Sequence, residues 1–330
     1  MNGRKAIYDY IKEALDDQGN LPEDFSLPEE NEKSEENMNG LKFAPGAMDG
    51  IILYHFGPSS DKDNEERILL KEAIETAANG SEEEAFDKIE EYAKKAHAIS
   101  DMDVLVNHII KHQSVYAPDK IFKFACRLIT MGTRVEAVKI GMGILELFRT
   151  NEMPKVKDTI RMLSQYDEFA LFGCFLILSG WDNRDEELLE IAKKNHGWGR
   201  IHAVARIAPA SEEIKEWLLI HGVHNGILSN YSAMACFHKA DVRNLLEQSL
   251  TAEQLEGCTD IIEALMGEQP MSGISELDDG EEILLKYLAI LDHTNDITDR
   301  QKEVIEKIRE YGMEYFEADS KLNQYFKGEI

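Results

Sequence analysis

The chain has 330 residues, 43% of them apolar and 30% charged, and a formal net charge of −27. That charge argues against a nucleic-acid binder and against an anionic membrane surface, because both depend on clustered Lys and Arg, and no dense basic cluster occurs. The cysteines Cys126, Cys174, Cys236 and Cys258 are widely spaced and form no Cys-x-x-Cys pair, which fits free thiols in a reducing compartment and a cytoplasmic location.

The charge is unevenly spread. Residues 1–100 carry 11 Lys/Arg against 24 Asp/Glu, 101–200 carry 14 against 14, and 201–330 carry 11 against 25. Acidic ends favour a basic protein face as partner. The longest apolar run, 169–178, is half of what a bilayer crossing needs, so it reads as a buried helix and no membrane association is expected. The first 15 residues are amphipathic and lack the apolar core of a signal peptide.

In chain order, residues 4–16 form a helix with Ile7, Tyr10, Ile11 and Leu15 on one face. Residues 18–39 are acidic and almost free of apolar side chains, so they read as a flexible linker. Apolar character returns around Met48, Ile51, Ile52, Leu53 and Tyr54. From residue 66 helix follows helix: 81–98, 102–112, 118–131, 133–148, 155–165, 168–178, 186–194, 198–207, 212–220, 231–238, 241–249, 252–266, 281–292, 299–311 and 315–326. Gly257 inside the pattern 252–266 suggests two short helices there. Ser81 with Glu84, Thr251 with Gln254 and Thr298 with Gln301 fit the capping box, in which two side chains satisfy free amides reciprocally. No alternating strand pattern appears.

Some sixteen short helices on short links are too many for one bundle, and stacked pairs solve the burial problem. The expected architecture is therefore all-α, an α-solenoid of HEAT/armadillo-like antiparallel helix pairs. Its parts are an N-terminal amphipathic helix over 1–17, an acidic flexible linker over 18–40, the solenoid over 41–292 and C-terminal capping helices over 293–330.

Three constellations invite a chemical reading. His108 and His112 share a helix face at the spacing of a zinc pair, but Ile109 and Ile110 replace the His-Glu-x-x-His pattern, and an ordinary helix face is the better reading. Asp61, Asp63, Glu65 and Glu72 match calcium-loop positions 1, 3, 5 and 12, yet Glu66 stands where the sharp turn requires Gly, so an acidic helix start explains them. The richest polar and aromatic concentration is Trp198, Arg200, His202, Arg206, Trp217, His221, His224, Asn225, Asn230 and Tyr231. Core packing and helix capping account for such residues. The same side chains, near helix ends, also serve as anchors for a bound segment. No nucleophile elbow, phosphate-binding loop or metal cluster is present, so no catalytic residue, metal ligand or cofactor is assigned.

The run from Trp198 through Ile207, then Ala208-Pro209 and the helix Glu212 to Leu219, resembles a degenerate HEAT unit. So does the turn His221-Gly222-Val223-His224-Asn225-Gly226 leading to Asn230-Tyr231. These residues, about an eighth of the chain, are similar to a bacterial HEAT-repeat family of unsettled function, some members of which carry the label limonene hydroxylase. The resemblance implies a solenoid over roughly 66–292 and a scaffold or adaptor binding a protein or peptide partner on its surface. The label implies an alternative, an enzyme with its pocket around Trp198–Tyr231. Hydroxylating an unactivated carbon requires haem, flavin or non-haem iron, and neither a Gly-x-Gly-x-x-Gly fingerprint nor a haem-thiolate signature occurs.

Overall fold

The structure, a computed structural model, describes residues 4–28, 43–56 and 64–329. Among them every regular element is helical, and contacts run between helices that neighbour one another in the chain, an all-α, solenoid-like arrangement. Two compact units are present, Met1–Ala203 and Val204–Ile330.

The first unit contains α1 (Ile7–Ala14), α2 (Ala47–His55), α3 (Glu65–Asn79), α4 (Glu82–Tyr92), α5 (Ala98–Lys111), α6 (Pro118–Met131), α7 (Val135–Leu145), α8 (Pro154–Leu163), α9 (Asp167–Leu178) and α10 (Arg184–Lys194), and most of α11 (Trp198–Arg206). Helices α3 and α4 pair, as do α6 and α7, and the chain α3, α5, α7, α9 is joined by contacts at every step. Helix α7 is buried on all sides, Val135 through Leu145. Apart from Glu136 and Lys139 its side chains are apolar on every side, and such a helix belongs in the interior. Helix α9, the apolar run noted above, is likewise buried, and no helix among the described residues is long and apolar enough to cross a membrane.

The N-terminal helix is shorter than its sequence pattern, ending at Ala14, and it docks on α6 and α8 through buried Ile7 and Ile11. The backbone N–H of Ile7 donates to Gly132 O at 2.9 Å, so a helix start is satisfied by a helix end. Of the expected linker, 18–28 is described. Asp16 Oδ1 accepts from the Gln18 and Asn20 amides, and Leu27 is buried with its N–H donating to the Tyr166 hydroxyl. The remainder of the linker, 29–40, lies outside the described residues.

The second unit contains α12 (Glu212–His221), α13 (Asn230–Lys239), α14 (Val242–Leu245), α15 (Ala252–Leu265), α16 (Gly280–Asp292), α17 (Asp299–Tyr315) and α18 (Lys321–Lys327). Helix α15 packs on α12, α13 and α17. Contrary to the reading of Gly257 as a break, α15 is one unbroken helix. A Cβ at Gly257 would lie 2.7 Å from Leu219 O, so the glycine lets two helices approach closely. The pattern over 241–249 yields only the four-residue α14, entered through Asp241 at φ +59°. Both Thr251/Gln254 and Thr298/Gln301 form complete capping boxes. At Ser81 the hydroxyl accepts from the Glu84 N–H.

Candidate functional site

The ten residues singled out from the sequence divide between the units. Trp198, Arg200 and His202 fall in the first and the other seven in the second. The three in the first unit are buried. Arg200 Nε donates to the carbonyls of Ala192 and Asn195, both at 2.9 Å, tying the start of α11 to the end of α10. The Trp198 and His202 rings are 6.0 Å apart, and Tyr54 of α2 stacks on both, at 6.3 and 5.8 Å. In the second unit Trp217 and His221 meet one turn apart on α12, at 5.7 Å. His224 Nε2 pairs with Asp260 at 3.0 Å, and Asp260 in turn holds Arg300. Asn225 is buried and organises its own turn, accepting from the Ile227 amide and donating to Leu228 O. Asn230 donates to the carbonyls of Gly267 and Gln269. Arg206 and Tyr231 are half-buried.

His108 and His112 do lie ring against ring, at 4.3 Å, but His108 Nε2 meets the Tyr116 hydroxyl at 2.9 Å and His112 Nδ1 meets His108 O at 2.8 Å. No group of three or more His, Cys, Asp or Glu able to hold a metal occurs among the described residues. Of the calcium-like set, Asp61 and Asp63 lie outside them, while Glu65 and Glu72 belong to α3.

Two other features stand out. The first is a buried cluster of charges. Lys139, on fully buried α7, places Nζ 2.7 Å from Asp49 of α2, 2.7 Å from Glu168 of α9 and 3.4 Å from Glu136 one turn earlier. Glu136 also accepts from the Ala98 N–H at 2.7 Å, supplying from α7 the cap that α5 lacks locally, and its other oxygen lies 3.4 Å from His97 Nδ1. One cation among three carboxylates leaves an excess of negative charge. Burial pushes the Asp49 carboxyl up to about 7; the nearby Lys139 opposes that rise, and Glu136 and Glu168 reinforce it. For Lys139, burial disfavours the charge, but Asp49, Glu136 and Glu168 outweigh it and hold the ammonium well above its usual range. For Glu136, burial is likewise outweighed, by Lys139, His97 and the Ala98 amide, and its carboxyl is lowered. Alongside, burial raises Asp167 to about 6 against the pull of the Gly199 and Gly197 amides.

Sequence periodicity missed this cluster. Its signal was present: two charges three residues apart within a helix otherwise apolar on every side.

The second feature is a groove of about 380 Å³ along α8, α9 and α10. Ile160, Ile177, Trp181 and Ile191 are among its lining residues, with Arg161, Glu186, Glu187, Glu190 and Lys194. Trp181 is fixed by its N–H, which donates to the buried Thr150 hydroxyl at 2.8 Å, and Lys157 lies over the ring at 4.5 Å. Arg161 forms a two-pronged pair with Glu187. Gln165 also lines the groove; its Oε1 is turned away from solvent and accepts no hydrogen bond among the described residues.

No family model matches the chain, and no curated protein or solved structure does either.

Proposed function

We propose that the chain is a cytoplasmic, non-catalytic interaction module, a HEAT-like scaffold that holds a basic peptide segment of a protein partner in the groove of α8, α9 and α10. The observation that carries this reading is the apolar floor of the groove, Ile160, Ile177, Trp181 and Ile191, edged by Glu186, Glu187 and Glu190. Carboxylates outnumber cations among the groove's lining residues, Glu186, Glu187 and Glu190 against Arg161 and Lys194, so Lys or Arg flanking an apolar anchor complements it. The overall charge of −27 supports the same sign of partner and speaks against nucleic acid.

The test uses an array of twelve-residue peptides, each an apolar anchor flanked by Lys/Arg or by Asp/Glu, probed with the purified chain. The expected result is salt-sensitive retention on basic peptides that is lost in the Glu186→Lys/Glu190→Lys variant. Equal retention on acidic and basic peptides, or none on either, sinks the reading.

A further inference from the structure

The strap of chain that follows α1, residues 15–28, carries the exposed carboxylates Asp16, Asp17, Glu23 and Asp24. It is pinned at two points. Asp16 closes a tight turn: its Oδ1 accepts from the Gln18 and Asn20 amides, its carbonyl accepts from the Gly19 N–H, and Gly19 takes φ +77°, a conformation that glycine tolerates. Further on, Phe25 meets the Tyr166 ring edge-on at 5.1 Å, and Leu27 is buried with its N–H donating to the Tyr166 hydroxyl.

Both pins stand at one end of the α8–α10 groove. Lys194, which lines the groove, donates to Gly19 O at 3.5 Å, and Tyr166 follows directly on Gln165, which also lines it. Along α10 the lining runs from Glu186 in the first turn to Lys194 in the last. Eight residues of helix rise about 12 Å, so Glu186 and the strap lie at opposite ends of a short trough.

The charge at those ends is not equally available. On the groove's own bank Glu187 is already paired with Arg161 and Lys157, and Glu190 with Lys193. Glu186 enters no ion pair among the described residues, and neither do Asp17, Glu23 and Asp24 of the strap. A carboxylate with its own cation at hand has little attraction left for another, because the two fields cancel. The uncompensated charge is therefore split, with Glu186 at one end of the trough and three strap carboxylates at the other.

Resting on the groove reading above, we infer that the strap is the second half of the same site and that the partner segment is bipartite. Its apolar anchor spans about four residues, which an extended chain needs to cover about 12 Å. Lys or Arg stands on each side of that anchor, one side meeting Glu186 and the other Asp17, Glu23 and Asp24.

The experiment measures fluorescence anisotropy of three labelled peptides with the full chain. All have the same length, the same four-residue apolar anchor and four lysines. One carries two lysines on each side, and the others carry all four before or all four after the anchor. Equal net charge removes any general attraction to an acidic protein from the comparison. The two-sided peptide is expected to bind about fivefold tighter than either one-sided peptide, the scale of two exposed charge pairs. In Asp17→Asn/Glu23→Gln/Asp24→Asn that advantage is expected to vanish. These side chains are exposed, and Asp16, which holds the turn, is left intact. The inference is overturned if the two-sided peptide has no advantage, or if its advantage survives in the strap variant. Binding of the one-sided peptides that is lost in Glu186→Lys/Glu190→Lys then leaves the groove standing without the strap. If no peptide binds, the groove reading and the bipartite partner fall together.

Discussion

Lys139 Nζ and Asp49 Oδ2 lie 2.7 Å apart, and both side chains are 1% exposed. Most ion pairs among the described residues are at least partly exposed and contribute little to stability, because water screens them and ordering two long side chains costs entropy. This pair sits in the interior. Desolvation there is severe, and the attraction between partners offsets it only while both are present.

Removing the cation is therefore expected to be far worse than its loss at a surface. Lys139→Met leaves Asp49 and Glu136 buried without their ammonium, and urea unfolding of the variant is expected to show a loss of about 3–5 kcal/mol. Replacing both partners, Lys139→Met with Asp49→Leu, is expected to recover part of that loss, since the Asp49 carboxyl goes too while Glu136 keeps the Ala98 amide. A loss below about 1 kcal/mol for Lys139→Met, the scale of an exposed pair, means that the cluster is wetter than its geometry indicates.

The same burial fixes a pH dependence. Asp49 is raised to about 7, Asp167 to about 6, and Glu146 to about 7 by burial and the nearby charge of Asp103. In each case the folded state keeps a proton that the unfolded chain gives up near the ordinary carboxylate value. Stability from these groups is complete below that value. It falls as pH climbs through 6 and 7, and it is flat above. Glu136 and Glu91 run the other way, their carboxyls lowered, but their contribution is already complete before pH 6. Melting temperature is expected to decline between pH 5 and 7.5, with a shallower decline in Asp49→Asn. A melting temperature that rises over that interval contradicts the assignment.

How much of this was legible beforehand depends on range. The helices were written in local patterns: Pro118 at the first turn of α6, the Thr251/Gln254 and Thr298/Gln301 boxes, the apolar stripe of α1. What failed was anything set by a distant residue. The pattern over 81–98 looked continuous, yet α4 stops at Tyr92 and α5 starts at Ala98, whose amide is capped by Glu136, 38 residues away. The Lys139 recess combines α2, α7 and α9, which no window of sequence contains. Trp198 and His202 did attract notice, for their chemistry. Their place beneath Tyr54 was not readable.

Gly257 tests the same distinction. By intrinsic preference, Gly257→Ala inside α15 is expected to gain about 1 kcal/mol. The tertiary contact predicts the opposite, because the new Cβ would fall 2.7 Å from Leu219 O and 2.9 Å from Leu219 Cγ. Overpacking of this kind costs about 1–3 kcal/mol, so thermal unfolding of the variant is expected at a lower temperature. An unchanged or higher melting temperature shows that α12 yields to α15 at little cost.

Trp181 and Thr150 offer a cleaner accounting, since their hydrogen bond is buried and joins two side chains 31 residues apart. Thr150→Val preserves shape but strands the indole N–H, and an unsatisfied buried donor costs about 1–3 kcal/mol. Trp181→Phe strands the Thr150 hydroxyl and also removes the ring over which Lys157 and Arg161 lie, at 4.5 and 5.7 Å, so its loss is expected to be larger. The double variant strands neither polar group. Its destabilisation is expected to fall short of the sum of the single changes, the signature of a direct interaction in a double-mutant cycle. Strict additivity in urea unfolding would mean that the indole N–H finds another partner, and the rigid Trp181 at the groove would lose its physical basis.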